Sequence, residues 1–191
     1  MAIDRRQLII EAATKSFSLF GYKATTMDQV AKIANVGKGT IYTFFKNKEE
    51  LFDEIISSLI NEMKLAADEA TNSTSSFHEK VHRGLYKILE FRKKHQLTIK
   101  LFQEEKEMGT PAVIEVMTKL EDAIIKYLKD LILYAIEKDE IQECDPELTA
   151  FIMLKLYISL IFDWEKQHRP LEKEEIASIF EHYIFKGLSK G

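Results

Sequence analysis

One cysteine in 191 residues, Cys144, rules out an intrachain disulfide and fits a chain that works in a reducing compartment. Three prolines and seven glycines are too few for a turn-rich β protein, whose many short strands need frequent breaks. Long apolar runs are missing as well. The most apolar stretch, residues 148–164, is shorter than a bilayer span and contains Lys155 and Asp163, so it fits a buried helix better than a membrane helix. No leader is visible, because residues 1–4 run directly into an amphipathic pattern. These absences set the expectation of a soluble, cytoplasmic protein with no membrane partner. Positive charge is not in excess either: the net charge is −4, which taken alone argues against nucleic acid.

The distribution of charge reverses that last inference. Residues 1–50 carry eight Lys and Arg against five Asp and Glu, a balance of +3, which leaves −7 for the rest of the chain. A basic head on an acidic body directs one end of the molecule toward phosphates. Apolar residues make up 46% of the chain and recur at helical spacing from end to end, which predicts an all-α protein of about nine helices. Helices are expected over residues 4–20, 27–34, 38–44 and 48–70. After the polar loop 71–76 a further helix follows, then others over 97–108, 111–138, 146–167 and 172–188. The division into domains follows: a basic head over 1–47, a connecting helix over 48–70 and a larger helical domain over 71–191.

Within the head, residues 21–51 form a helix–turn–helix pattern. Gly21 ends one helix. Thr26 opens the next, with Gln29 three residues on, a capping pattern. Val30, Ile33 and Ala34 face inward. Asn35 can take the left-handed conformation that a tight turn needs, and Val36 plugs that turn. Residues 40–45 are too short for a stable free helix, so packing must hold them. The exposed face of that segment carries Lys38, Thr40, Thr43 and Phe44, a set suited to a major groove.

The run Gly21-Tyr22, Thr25-Thr26, Val30-Ala31, Ala34-Asn35-Val36, Gly39-Thr40-Ile41-Tyr42, Phe44-Phe45 and Lys48-Glu49-Glu50-Leu51 resembles the amino-terminal domain of the TetR family of bacterial transcriptional regulators. The resemblance is dense over residues 8–55. It departs at Asn35, where the family usually has Gly, and at Gly37, where it usually has Ser. It implies DNA contacts at Thr26, Gly39, Thr40, Tyr42, Phe44 and Lys48. Physical chemistry supports these and adds others. Thr26 and the open end of its helix suit a phosphate, with Thr25 assisting. The Tyr42 hydroxyl can reach a phosphate, and Lys48 adds its charge at a helix start. Lys38, Thr43 and Phe44 are candidates for base edges and thymine methyls, and the Gly39 backbone can come close to the duplex.

Residues 146–167 are apolar around almost the whole helix, apart from the stripe Lys155, Ser159 and Asp163. Such a helix needs cover on several sides, which a partner subunit supplies in a four-helix bundle. The resemblance implies the same homodimer, and Leu156, Leu160, Trp164, Ile176, Phe180 and Tyr183 are its expected contacts. It also implies a small-molecule effector of unknown identity, taken into a cavity whose lining includes Phe91, Phe102, Met117, Tyr127 and Phe151. The expected function is that of a repressor released from a palindromic double-stranded DNA operator by a largely apolar ligand.

One motif points elsewhere. Residues 78–82, His-Glu-Lys-Val-His, fit the helical zinc site of metalloproteases, in which two histidines hold the metal and the glutamate is the general base. That would make the chain a zinc-dependent hydrolase or a metal-responsive protein through His78, Glu79 and His82. Against it, Glu79 already pairs with Ser76 in a capping box, Lys80 sets a positive charge between the ligands, and no downstream motif supplies a third ligand. The expectation is therefore no enzyme, no metal and no cofactor.

Overall fold

The computed structural model describes residues 4–71, 77, 80, 81, 83, 84 and 96–188. Every element among them is helical: α1 (Arg5–Phe20), α2 (Met27–Ile33), α3 (Lys38–Phe44), α4 (Lys48–Thr71), α5 (Gln96–Met108), α6 (Pro111–Glu137) and α7 (Pro146–Ile158). Beyond α7 the chain passes through a π-helical turn, Ser159–Asp163, and a 3-10 turn, Trp164–Lys166. α8 (Lys173–Phe180) likewise runs through a π-helical turn, Glu181–Phe185, into α9 (Lys186–Leu188). None of the described helices is long and apolar enough to cross a membrane.

Side chains set the starts of these helices. The Asp4 carboxylate accepts from the Gln7 N–H at 3.2 Å, and the Thr26 hydroxyl from the Gln29 N–H at 3.2 Å. Asp145 takes both the Glu147 and Leu148 N–H groups at 3.0 Å, with Pro146 as the first helical residue. These are the free donors that a helix start leaves open. The Thr110 hydroxyl, just before α6, donates to Glu104 at 2.9 Å. The Ser76–Glu79 box and the His78, Glu79, His82 motif lie outside the described residues.

The chain divides into two compact units, Met1–Glu62 with Phe91–Leu120 and Met63–Glu90 with Glu121–Gly191. In the first unit α1 packs along α5 as well as on α2 and α3. The units therefore cut across the sequence-derived division at residue 70, because α5 belongs with the head.

The second unit is built around Phe77, Ile132, Ile141, Met153, Ile161, Ile176, Phe180 and Phe185. This corrects two expected dimer contacts. Ile176 is fully enclosed and Phe180 is 2% exposed, so both are core residues and offer no surface to a partner. The π-helical turn explains the rest of that helix. After Phe180 an ordinary α-helix would bury position 184. The wider turn carries the buried position one residue further, to Phe185 at 0% exposure, and leaves Tyr183 71% exposed.

Candidate nucleic-acid interface

The head is held by a small aromatic core. The rings of Phe17, Tyr22 and Phe52 meet at 4.6–5.7 Å, and Ile9, Val30, Ile41, Phe45 and Leu51 are buried with them. α3, seven residues long, makes barely two turns and has no side-chain cap at Gly37. It stands because Ile41 and Phe45, four apart, are both buried. Asn35 turns the chain between α2 and α3 with φ of 53°, the left-handed conformation that asparagine tolerates better than most residues.

Anchoring Ile41 and Phe45 leaves the opposite face of α3 open. Lys38, Gly39, Tyr42, Thr43 and Phe44 are exposed and Thr40 is half-buried. Thr43 donates its hydroxyl to the Thr40 carbonyl at 2.7 Å. Thr26 is exposed beside them at the start of α2. Lys38 is paired across the turn with Asp28 at 2.7 Å, and that hydrogen bond raises its pKa further above the ordinary lysine range. The pair tethers the ammonium over α2.

Two expected DNA contacts take other roles. Thr25 is fully buried. Its hydroxyl donates to the Gly21 carbonyl at 2.8 Å and lies 3.0 Å from the Ser16 hydroxyl. It braces the α1–α2 turn and cannot assist at a phosphate. Lys48 Nζ donates to the carbonyls of Tyr22 at 2.9 Å and Thr25 at 3.0 Å, and sits 4.1 Å from the centre of the Tyr22 ring. Two of its three donors close the same turn from the side of α4.

The expected effector residues are divided between the two units. Phe91 lies outside the described residues. Phe102 and Met117 are buried in the first unit. Tyr127 is half-buried, and Phe151 is 45% exposed with Lys155 Nζ 5.6 Å from its ring centre. Of the expected dimer contacts that remain, Leu156 and Leu160 are half-buried, while Trp164 and Tyr183 are exposed.

Sequence reasoning missed three residues that shape the site. Asp28 aims Lys38. Asn47 accepts from the Glu50 N–H at 2.8 Å and starts α4, a capping signal visible in the Asn-Lys-Glu-Glu run. Glu104 takes backbone N–H groups of the head from 82 and 81 residues away, and nothing in its local Glu-Glu-Lys-Glu run distinguishes it.

Comparison with known proteins matches this geometry. Residues 9–55 fit the model described as bacterial regulatory proteins, tetR family, and residues 74–188 fit a tetracyclin repressor-like, C-terminal domain. The HTH-type transcriptional regulator YhgD of Bacillus subtilis strain 168 is 67% identical over 189 residues, 99% of each chain. The fatty acid degradation regulator FadR from Bacillus halodurans superposes with a TM-score of 0.77 over 95% of each chain at 18% identity. The SmeT–triclosan complex superposes with a TM-score of 0.82 over 98% of this chain and 93% of that one, at 14% identity.

Proposed function

The chain belongs to the TetR family of bacterial regulatory proteins and is a DNA-binding transcriptional regulator, and from that premise we propose that it is a homodimeric repressor that grips a palindromic operator with α2 and α3 and lets go when a small apolar effector binds. The observation that carries this is the split of α3. One side, Ile41 and Phe45, is locked into the head. The other presents Lys38, Gly39, Tyr42, Thr43 and Phe44 to solvent. A free-standing helical module has no use for an exposed Tyr and Phe on a seven-residue helix, whereas a groove-reading helix does.

Roles follow from position. Thr26 and Tyr42 hold phosphates and set register, while Thr40, Thr43, Phe44 and the Gly39 backbone lie against base edges and thymine methyls. Lys38 reads a guanine edge, exchanging its Asp28 partner for the base or holding both. The dimer joins through the exposed and half-buried apolar surface at the end of α7 and just beyond it, with Leu156, Leu160 and Trp164, and through Tyr183. SmeT, a protein of this fold in complex with triclosan, supports an apolar effector. Ligand acts only through unequal affinity for the DNA-competent and DNA-incompetent arrangements of the two heads.

The test is selection of duplexes from a random pool by the purified protein, followed by binding at several salt concentrations. A palindromic consensus is expected, with two half-sites about one helical turn apart. Tyr42→Phe should weaken all duplexes alike, and Lys38→Ala should relax preference at one position of each half-site by about tenfold. Recovery of no consensus, or of an unpaired half-site alone, would refute the dimeric operator reading.

A further inference from the structure

Among the described residues Glu104 is the only charged side chain that is buried, at 4% exposure. It sits on α5, yet its carboxylate is filled by the head. The Tyr22 N–H donates to Oε2 at 2.6 Å, and the Lys23 N–H donates to Oε1 at 2.9 Å. The Thr110 hydroxyl donates to Oε1 at 2.9 Å. The two amides belong to the turn after α1, where Gly21 still bonds back to the Phe17 carbonyl at 2.9 Å. Gly21 is shaped for this approach. Its φ is +85°, and a Cβ there would lie 2.4 Å from Glu104 Oε2, so any larger residue pushes the carboxylate away.

A carboxylate withdrawn from water is tolerated only while its oxygens stay paired. Sliding or tilting the head on α5 by even an ångström or two would strip Glu104 of its backbone donors and leave a buried charge exposed to no solvent and no partner. The contact is thus nearly all-or-none, unlike the apolar packing of α1 on α5, which can slip. It also connects the two family modules, since Tyr22 and Lys23 lie within residues 9–55 and Glu104 and Thr110 within residues 74–188.

We propose that Glu104 is the positioning residue that fixes the angle of the DNA-reading head on α5, and thereby the half-site spacing the regulator accepts. It touches no DNA. It acts through the Tyr22 and Lys23 amides, which orient α2 and, through the Asn35 turn, α3. The inference rests on the operator reading above.

The experiment uses full-length protein and three duplexes: the palindrome selected by the wild type, the same palindrome with one base pair inserted between half-sites, and a single half-site. Glu104→Gln keeps size and shape but replaces one acceptor oxygen by a donor, so one backbone N–H must face an NH2 group. Thr110→Val removes only the third hydrogen bond. The wild type is expected to prefer native spacing over the lengthened one by about tenfold or more, a single charge-assisted contact's worth of discrimination. In Glu104→Gln that ratio should fall to about threefold or less, with single half-site affinity and the far-UV circular dichroism spectrum unchanged. Thr110→Val should lie between. Unchanged spacing discrimination in Glu104→Gln overturns the proposal. So does half-site affinity falling in step with palindrome affinity in both variants, because the carboxylate would then serve only the folding of the head. A wild type indifferent to spacing would instead remove the operator reading on which the proposal stands.

Discussion

Lys48 is where charge and packing compete for one side chain. At the start of a helix beside a DNA-reading segment, an ammonium looks like a phosphate contact, and family resemblance adds weight to that. The folded chain gives it the carbonyls of Tyr22 and Thr25 and the face of the Tyr22 ring. Lys48→Ala is therefore expected to destabilise the protein by about 1–3 kcal/mol in urea unfolding, the range for hydrogen bonds to a charged group at a half-exposed site. The slope of log K against log[salt] should change by well under the ~0.9 expected for one lost phosphate contact. A drop of a full phosphate's worth would return Lys48 to the DNA backbone. Tyr22 shows the same economy. Burial above all, and then the hydrogen bond it donates to Glu49 at 2.8 Å, raise its pKa far above the ordinary 10.0. The same bond holds Glu49 below its ordinary 4.5. The signs are opposite. A raised Tyr22 contributes stability that is complete below pH 10 and is lost as pH rises beyond it, because the unfolded chain ionises first. A depressed Glu49 contributes stability that is complete above about pH 4.5 and is lost in acid. The stability difference between wild type and Tyr22→Phe should thus be flat from about pH 5 to 9, at about 1 kcal/mol after solvent screening, and shrink at both ends. Chemical unfolding across pH measures this, and a difference that grows in acid would contradict it.

Helix by helix, the sequence proved legible where the signal was local. The starts at Thr26 and Asp145, the left-handed Asn35 and the ends of α3, α5 and α6 lie at or within a residue of where capping and periodicity put them. Asp145→Ala removes the acceptor for two N–H groups and should cost about 1 kcal/mol, read from thermal unfolding. Asn35→Gly should be neutral or slightly stabilising, and Asn35→Ala should lose about 1 kcal/mol or more to the strained backbone. Equal stability of the two Asn35 variants would show that φ of 53° is not maintained. What stayed illegible was non-local. The periodicity of residues 172–188 suits an unbroken α-helix, and no residue announces the π-helical turn that encloses Phe185 and leaves Ile184 half-buried against the core. Thr25 reads as a free hydroxyl beside Thr26 until Ser16, nine residues away, closes over it. Glu104 reads as one of several surface acids, because the amides that justify its burial are some eighty residues distant.

For the whole molecule, burial sorts the residues that can join two chains from those that cannot. Ile176 and Phe180 fill the second unit's own core, so charging either should unfold that unit and reveal nothing about assembly. Trp164 and Tyr183 are 44% and 71% exposed, and Trp164 stacks on His168 with centroids 3.8 Å apart, outside that core. Glutamate at either position should cost the single chain about 1 kcal/mol or less. In a dimer interface the same charge would be desolvated without a partner, which costs several kcal/mol and so several orders of magnitude in association. Trp164→Glu combined with Tyr183→Glu is therefore expected to keep native circular dichroism while sedimenting as a monomer at micromolar concentration. Its affinity for the selected palindrome should fall to that of a single half-site, since two linked heads gain their advantage only by binding together. A double variant that remains dimeric would move the interface away from these two positions. One that becomes monomeric yet binds the palindrome undiminished would show that each head reads its half-site alone, and that symmetry adds nothing to recognition.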